Sequence, residues 1–198
     1  MFYITIIVMA LLAYLIGSIP TGYLIVKAKT GTDIRTVGSG STGATNVKRV
    51  LGKGWFFTVM VLDAIKGAFP VILARIFFND HYGIIAVVSA VFVIIGHSKP
   101  IFLQFKGGKS VASGVGTLIA LNSIVGISIA VIWAIITYIS KYVSLGSIIA
   151  IAISPILMYY LKNPIGYTIY CLIAAIYIIY LHRQNIQRLI KGEENKVR

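Results

Sequence analysis

Long apolar runs, separated by short polar stretches, account for most of the chain. Residues 2–26 contain no charged side chain, and neither do residues 110–140. Apolar runs of about 18 or more residues with few charges are typical of membrane-spanning helices. The pattern therefore predicts an all-α polytopic membrane protein that forms a single domain over residues 1–198.

The apolar runs predict seven transmembrane helices, and the run 110–140 decides that number. As one helix it would be about 46 Å long, which exceeds a hydrocarbon core of about 30 Å. We therefore predict two short helices with a break near Asn122, Ser123 and Gly126. Gly114, Gly116 and Ala120 are expected to allow close helix packing. The predicted helices lie near residues 3–26, 54–78, 83–105, 110–124, 126–141, 145–161 and 164–182.

The composition supports a membrane protein and excludes several other classes. The chain is 58% hydrophobic and 12% charged, with a net charge of +13, whereas soluble domains carry about 25% charged residues. In a soluble protein this charge would suggest nucleic-acid binding, but membrane proteins collect Lys and Arg in their cytoplasmic loops. The single Cys171 excludes a disulfide framework. The uncharged start, without basic residues before it, does not fit a cleavable signal peptide.

The positions of the basic residues predict the orientation. With seven crossings, 15 of the 18 Lys and Arg residues fall on one side, which the positive-inside rule identifies as cytoplasmic. The N-terminus is then outside and the C-terminus is cytoplasmic. Arg75 and Lys162 fall on the other side, and Lys66 lies within a span. The residues on the cytoplasmic side are Lys27, Lys29, Arg35, Lys48, Arg49, Lys53, Lys99, Lys106, Lys109, Lys141, Arg183, Arg188, Lys191, Lys196 and Arg198.

The first of three polar stretches on that side is 37–49, VGSGSTGATNVKR. Its glycines permit positive φ and close approach of the backbone to a ligand. Ser39 and Asn46 supply short hydrogen-bonding side chains, and Arg49 can bind an oxyanion with two hydrogen bonds. The stretch is a candidate binding loop, and the alternative is a flexible polar loop.

The second stretch is 96–110, GHSKPIFLQFKGGKS. The N–H groups of Gly107 and Gly108 are predicted to form an anion nest, Lys109 supplies a charge, and a helix starting at Ser110 adds its dipole. There is no Walker A pattern, so a nucleotide triphosphate is not indicated. The alternative is that Lys106 and Lys109 only anchor the loop.

The third stretch is 181–189, LHRQNIQRL, where the last span ends. His182 and Asn185 are three residues apart, so they share a helix face. Arg183 and Arg188 point elsewhere and are also suited to contact lipid headgroups. The alternative for His182 is an interfacial residue without a functional role.

The remaining polar residues predict structure rather than chemistry. Asp63 and Lys66 are expected to form a buried pair within a span, and His81 is expected to be a solvated turn residue. Three His, one Cys and five acidic residues are too dispersed for a metal site. The sequence therefore predicts no metal and no cofactor.

Several motifs together resemble the bacterial acyl-phosphate-dependent glycerol-3-phosphate acyltransferases, the PlsY family. They occur in order along nearly the whole chain and are GSIPTGYL at 17–24, VGSGSTGATNVKRVLG at 37–52, LDAIKG at 62–67, GHSKPIFLQFKGGKSVA at 96–112, VSLGSI at 143–148 and HRQNIQRLIKGEE at 182–194. The resemblance implies a seven-helix enzyme of the inner (cytoplasmic) membrane, with its active site facing the cytoplasm. It also implies acyl transfer from acyl phosphate to the 1-hydroxyl of sn-glycerol 3-phosphate, the first acylation step of phospholipid biosynthesis. The products would be lysophosphatidic acid and phosphate.

The resemblance also implies the roles of individual residues. We assign catalytic roles to His182, Asn185 and Lys109, and a phosphate-binding turn to Gly107 and Gly108. The further residues assigned to substrate binding are Ser39, Asn46, Arg49 and His97. The implied partners are the two substrates, membrane lipids and the soluble enzyme that makes acyl phosphate, without nucleic acid. We expect direct transfer without an acyl-enzyme, with His182 positioning the hydroxyl or accepting its proton.

Other classes of function remain open at this point. A membrane transporter of small organophosphates usually binds its substrate near the bilayer midplane between internal repeats, whereas the candidate residues here cluster on one face without a visible repeat. A lipid-binding protein without catalysis would need fewer fixed polar side chains. An acyltransferase with a His-x4-Asp dyad is excluded, because Ala86, Phe102 and Gln187 follow five residues after the three histidines.

Overall fold

The computed structural model describes residues 2–78 and 83–196, and within these residues the secondary structure is entirely helical. His81 and Arg198, named in the sequence analysis, lie outside the described residues. The helices are α1 (Phe2–Ser18), α2 (Thr21–Thr30), α3 (Ala44–Leu51), α4 (Lys53–Phe77), α5 (Ile84–Ser98), α6 (Val111–Leu121), α7 (Ser123–Ser140), α8 (Val143–Tyr160), α9 (Ile165–Leu181) and α10 (Arg183–Ile190). Short 3-10 turns span Ile34–Thr36 and Ile101–Leu103.

The helices confirm the predicted all-α membrane class. Five helical segments of the described chain are long and apolar enough to cross a membrane, and α9 with α10 would form a sixth, bent by 60°. Helix α6 has only 11 residues, which corresponds to about 16 Å. Seven crossings are reached only if the short helix α6 is counted as one, so the number seven stays a prediction.

The predicted break in the run 110–140 is present at Asn122. Helix α6 ends at Leu121 and α7 starts at Ser123, and the side chain of Asn122 accepts a hydrogen bond from the N–H of Val125 at 3.1 Å. The prediction that both pieces are short is wrong for α7, which has 18 residues. Because the N-cap residue restarts the helix at once, no residues are lost to a loop.

The first apolar run contains a break that the sequence analysis did not predict. Helix α1 ends at Ser18 and α2 begins at Thr21, immediately after Pro20. Proline has no N–H to continue the helical ladder. The ammonium group of Lys66, from the middle of α4, donates a 2.7 Å hydrogen bond to the carbonyl of Ile19 at this break. A buried cation thus stabilises the junction of α1 and α2.

Helices α4 and α6 cross at glycines, which fixes the short helix within the bundle. A Cβ atom on Gly116 would lie closer than 3.0 Å to the carbonyl of Ala64, and a Cβ on Gly67 would come equally close to the backbone of Ser113. The predicted packing role of Gly116 is confirmed. Gly114 is less constrained, since a Cβ there would meet only the side chain of Ile178, at 3.2 Å.

The bundle has two polar ends of different character. We call the end that carries α3, the residues before α6, and α10 the basic end. There Arg35 donates to the carbonyl of Leu103 at 3.4 Å. At the opposite end, Arg75 donates to the carbonyls of Ala120 and Leu121, where α6 terminates. The three polar stretches of the sequence all reach the basic end.

Candidate active site

The loop 37–49 is held in one conformation by the side chain of Asn46. Its amide nitrogen donates to the carbonyls of Ile34, Val37 and Ser41 at 3.1, 3.0 and 3.0 Å. Its amide oxygen accepts from the N–H of Ser39 at 3.0 Å. Asn46 is 1% exposed. The alternative of a flexible polar loop therefore does not describe this segment.

The same contacts change the interpretation of Asn46. Both polar atoms of its side chain are bonded to the backbone, so the structure gives it a positioning role, and direct contact with a substrate stays a prediction. Gly38, with φ +60°, makes room for the Asn46 oxygen, because a Cβ there would lie closer than 3.0 Å to it. A non-glycine residue would block this closure.

Two predicted binding residues of this loop are exposed. Ser39 and Arg49 both face outward from the folded segment. Within residues 2–78 and 83–196, the guanidinium group of Arg49 makes no hydrogen bond or ion pair. Arg49 therefore remains available for an anion, as the sequence analysis expects of this position.

The prediction that the N–H groups of Gly107 and Gly108 form an anion nest is wrong, because both groups are already bonded. The N–H of Gly107 donates to the carbonyl of Ser98 at 3.2 Å, and the N–H of Gly108 donates to the carbonyl of His97 at 3.1 Å. Neither group is left to bind phosphate. The glycines are needed for close packing instead, because a Cβ on either residue would lie closer than 3.0 Å to His97. Contact of this turn with a substrate stays a prediction.

His97 lies beneath the glycine turn. It is 6% exposed, and its Nδ1 is 3.1 Å from the hydroxyl of Ser113 and 3.6 Å from Asp63 Oδ1. Lys66 Nζ is 2.9 Å from the same carboxylate, which confirms the predicted buried pair. The structure thus places His97 in the support of the turn, whereas its assignment to substrate binding stays a prediction.

Lys109 and Asn185 meet, although they are far apart in the chain. Lys109 Nζ donates to Asn185 Oδ1, and Asn185 Nδ2 donates to Glu194 Oε1 at 2.6 Å. Glu194 also accepts from Ser144 at 2.8 Å and forms a 2.7 Å ion pair with Arg188. The second and third polar stretches are therefore joined through the C-terminal segment.

The sequence analysis gave no role in this network to Glu194 and Ser144. It also expected Arg188 to point elsewhere, whereas Arg188 pairs with Glu194. Glu194 is one of only five acidic residues in a chain of net charge +13. That scarcity is the one available signal, since an acid beside a basic cluster is expected to be paired. Neither residue lies at a helical spacing from Asn185 that would connect them in sequence.

The contacts of His182 fix its tautomer. It is 3% exposed, and its Nδ1 lies 2.8 Å from the carbonyl oxygen of Ile178. A carbonyl can only accept, so Nδ1 carries the hydrogen and Nε2 keeps a lone pair. That nitrogen is suited to accept a hydrogen bond from a hydroxyl group.

Charges around Lys109 give the site a positive excess. Burial lowers the pKa of Lys109 to about 8, Arg188 and Arg49 act in the same direction, and Glu194 opposes them. Burial disfavours ionisation of Glu194, but hydrogen bonds from Asn185, Arg188 and Ser144 outweigh it and lower the pKa of this carboxyl. Three cations against one carboxylate leave a site suited to an anionic ligand.

Comparisons with known proteins find similarity to one named family. A family model described as glycerol-3-phosphate acyltransferase matches residues 7–192. A protein named glycerol-3-phosphate acyltransferase from Synechococcus elongatus is 42% identical, with 98% of this chain and 95% of the relative covered. One of the same name from a Nostoc species is 44% identical, with 94% and 89% covered.

Two solved structures have the same fold. One is a crystal structure of PlsY (YgiH), an integral membrane glycerol 3-phosphate acyltransferase, in its glycerol 3-phosphate form. It superimposes with a TM-score of 0.92 at 36% identity, and 98% of this chain and 96% of that chain are covered. The other is its lysophosphatidic acid form, with a TM-score of 0.89, 34% identity, and 98% and 95% covered.

The contacts of Asn46 and Ser39 predict different effects of replacing each residue. Asn46→Ala removes the four hydrogen bonds between the Asn46 side chain and the loop backbone, each worth about 0.5–1.5 kcal/mol, so the amides of residues 37–46 should exchange hydrogen markedly faster. Ser39→Ala keeps the one bonded group, the backbone N–H, and should leave exchange unchanged. Hydrogen-exchange mass spectrometry measures both variants. Equal protection in Asn46→Ala and the wild type would contradict the positioning role.

Proposed function

The chain belongs to the glycerol-3-phosphate acyltransferase family, and on that premise we propose its donor, acceptor and product. It transfers a fatty acyl group from acyl phosphate to the 1-hydroxyl of sn-glycerol 3-phosphate, with lysophosphatidic acid and phosphate as products. The observation that carries this proposal is the group of Lys109, Arg49 and His182 at the end of an apolar bundle. A lipid-tailed phosphate and a soluble phosphate can both reach that position.

Lys109 and Arg49 bind the phosphate groups of the substrates. The positive excess favours dianionic ligands. The guanidinium of Arg49, which makes no hydrogen bond or ion pair among the described residues, has the planar geometry that phosphate oxygens match. The exposed hydroxyl of Ser39 adds a neutral donor on the same loop. The acyl tail remains among the apolar side chains that the bundle turns toward lipid.

His182 positions the acceptor hydroxyl. The lone pair on Nε2 accepts the hydrogen of the 1-hydroxyl and directs its oxygen toward the acyl carbonyl. The hydroxyl proton then passes to His182 or to the departing phosphate, and both routes remain open. Asn185, whose amide is bonded at both ends, acts in this scheme by holding Lys109; the catalytic role that the sequence analysis assigns to it stays a prediction.

The chemical step is a direct displacement. Acyl phosphate is a mixed anhydride, so the hydroxyl oxygen bonds to the carbonyl carbon, and the bond from that carbon to the phosphate oxygen breaks. The phosphate leaves with the electron pair. Because the donor is already activated, holding the two substrates in a reactive geometry supplies most of the catalysis, and positioning alone contributes about 7–11 kcal/mol.

The structure offers one arrangement that resembles a nucleophilic serine, and its geometry argues against that role. Ser113 and Asp63 both approach Nδ1 of His97, whereas a catalytic triad uses the two ring nitrogens separately. The other nitrogen, Nε2, lies against Gly108, and Ser113 is fully buried. The group supports the turn and is not positioned to carry an acyl group.

The decisive experiment for the function compares acyl donors. Purified protein should form lysophosphatidic acid from glycerol 3-phosphate and acyl phosphate, and none above background from acyl-CoA, measured by mass spectrometry of the lipid product. Reconstituted vesicles loaded with labelled glycerol 3-phosphate test the transporter alternative. Exchange of label across the vesicle without lipid product would contradict the proposal.

The phosphate contacts predict large kinetic losses in two variants. Arg49→Ala and Lys109→Ala each remove a charge-assisted hydrogen bond worth about 1.5–3 kcal/mol, so kcat/KM for glycerol 3-phosphate should fall by about 10–150-fold or more. Lys53→Ala, which removes a basic residue of the same end away from the Lys109 network, is the control. Near-normal kcat/KM in either variant would reduce that residue to a membrane anchor.

The basic end faces the cytoplasm of the inner membrane in this proposal, where a soluble enzyme can supply acyl phosphate. The uneven distribution of Lys and Arg supports this orientation. In a Cys171→Ala background, a cysteine at exposed Lys106 should be protected from an impermeant thiol reagent in intact cells. A cysteine at exposed Ser123, at the other end of α6, should react. The reverse pattern would contradict the orientation.

A further inference from the structure

We propose that Glu194, in the C-terminal segment, is a positioning residue for the transfer reaction. It holds the amide of Asn185 in one orientation and thereby keeps Lys109 in place as a charged phosphate ligand. This inference rests on the proposed function, because it assigns a role within that site. Glu194 lies within the motif at 182–194, but the sequence analysis assigned it no role.

The amide of Asn185 can satisfy its neighbours in only one of its two orientations. As it stands, Oδ1 accepts from the ammonium of Lys109, and Nδ2 donates to Glu194. Rotated by half a turn, the NH2 group would face an ammonium and the oxygen would face a carboxylate. Donor would meet donor and acceptor would meet acceptor, so the two charged groups together enforce the observed orientation.

Glu194 is itself fixed from several sides. Its Oε1 accepts from Ser144, near the start of α8, and its Oε2 pairs with Arg188 of α10. The chain reverses at Gly192, with φ +72°, and the N–H of Glu193 donates to the carbonyl of Arg188 at 2.8 Å. The carboxylate therefore connects two helices to Asn185, as expected of a group that sets the position of another.

Charge gives Glu194 a second effect on Lys109. The charged or titratable groups that face Lys109 are Arg49 from α3, Arg188 from α10, His182 at the end of α9, and Glu194. Glu194 is the one acid in this set, and the two arginines disfavour a further positive charge. The pKa of Lys109, already lowered to about 8 by burial, would fall further without the carboxylate.

The sign of the effect on activity follows from that balance. Lys109 binds phosphate as an ammonium, so kcat/KM for glycerol 3-phosphate should decline as the pH rises through the Lys109 pKa of the free enzyme. Loss of the Glu194 charge lowers this pKa, which moves the alkaline decline to lower pH. A purely structural role for Glu194 would reduce the amount of folded enzyme at every pH without moving the decline.

The test compares Glu194→Gln with Glu193→Gln, a neighbouring acid that is exposed and outside the network. In Glu194→Gln the alkaline limb of kcat/KM should move down by roughly one pH unit, and kcat/KM at pH 8 should fall about 5-fold. Glu193→Gln should match the wild type, and Glu194→Asp, which keeps the charge, should keep the position of the limb. An unmoved limb in folded Glu194→Gln overturns the proposal.

Two further measurements keep the result interpretable. If Glu194→Gln does not fold, Ser144→Ala provides the test, because it removes one of the two hydrogen bonds to Glu194 Oε1 and leaves the charge. This variant should lower kcat/KM without moving the alkaline limb, and unchanged kcat/KM overturns the positioning role. The wild type is assayed first with acyl phosphate. No transfer by the wild type would contradict the proposed function, whereas an active wild type with an indifferent Glu194→Gln contradicts only this inference.

Discussion

The half-buried ammonium of Lys109 is the constraint on which the site depends. A cation at the end of an apolar bundle is costly unless hydrogen bonds and opposite charge compensate for lost water. Asn185 supplies the hydrogen bond and Glu194 supplies the opposite charge. Arg49 and Arg188 outnumber this single carboxylate, so the charge of Lys109 is not fully compensated. In the proposed function, the phosphate group of a substrate supplies the missing negative charge.

The neighbouring elements of the structure hold Lys109 in a fixed position. The glycine turn before it is packed on His97 and bonded to the backbone at the end of α5, and the helix after it is pressed against α4 at Gly116. Asn46 independently fixes the loop that carries Arg49. In the proposed reaction, whose donor is already activated, such fixed positions would provide the catalysis that a nucleophile provides in other enzymes.

The sequence was sufficient for the fold class and for much of the candidate site, and its failures have identifiable physical causes. Apolar run length predicted the helices and the break at Asn122, because hydrocarbon thickness limits any single span. It did not show the break in the first run, because apolar run length ignores the missing N–H of Pro20, which is the local signal for it; the stabilising contact of Lys66 comes from a distant helix. Glycine pairs suggested a nest, but spacing does not reveal that the N–H groups of Gly107 and Gly108 are bonded to the backbone. Glu194 was missed because its partners come from separate helices.

In the proposed mechanism the enzyme positions two substrates and never carries the acyl group itself. The decisive measurement is rapid-quench mass spectrometry of the intact protein, mixed with acyl phosphate alone and then with glycerol 3-phosphate. Direct transfer predicts unmodified protein at every time point and lysophosphatidic acid only after the acceptor is added. A protein adduct of acyl mass that forms and decays fast enough to lie on the path to product would contradict it.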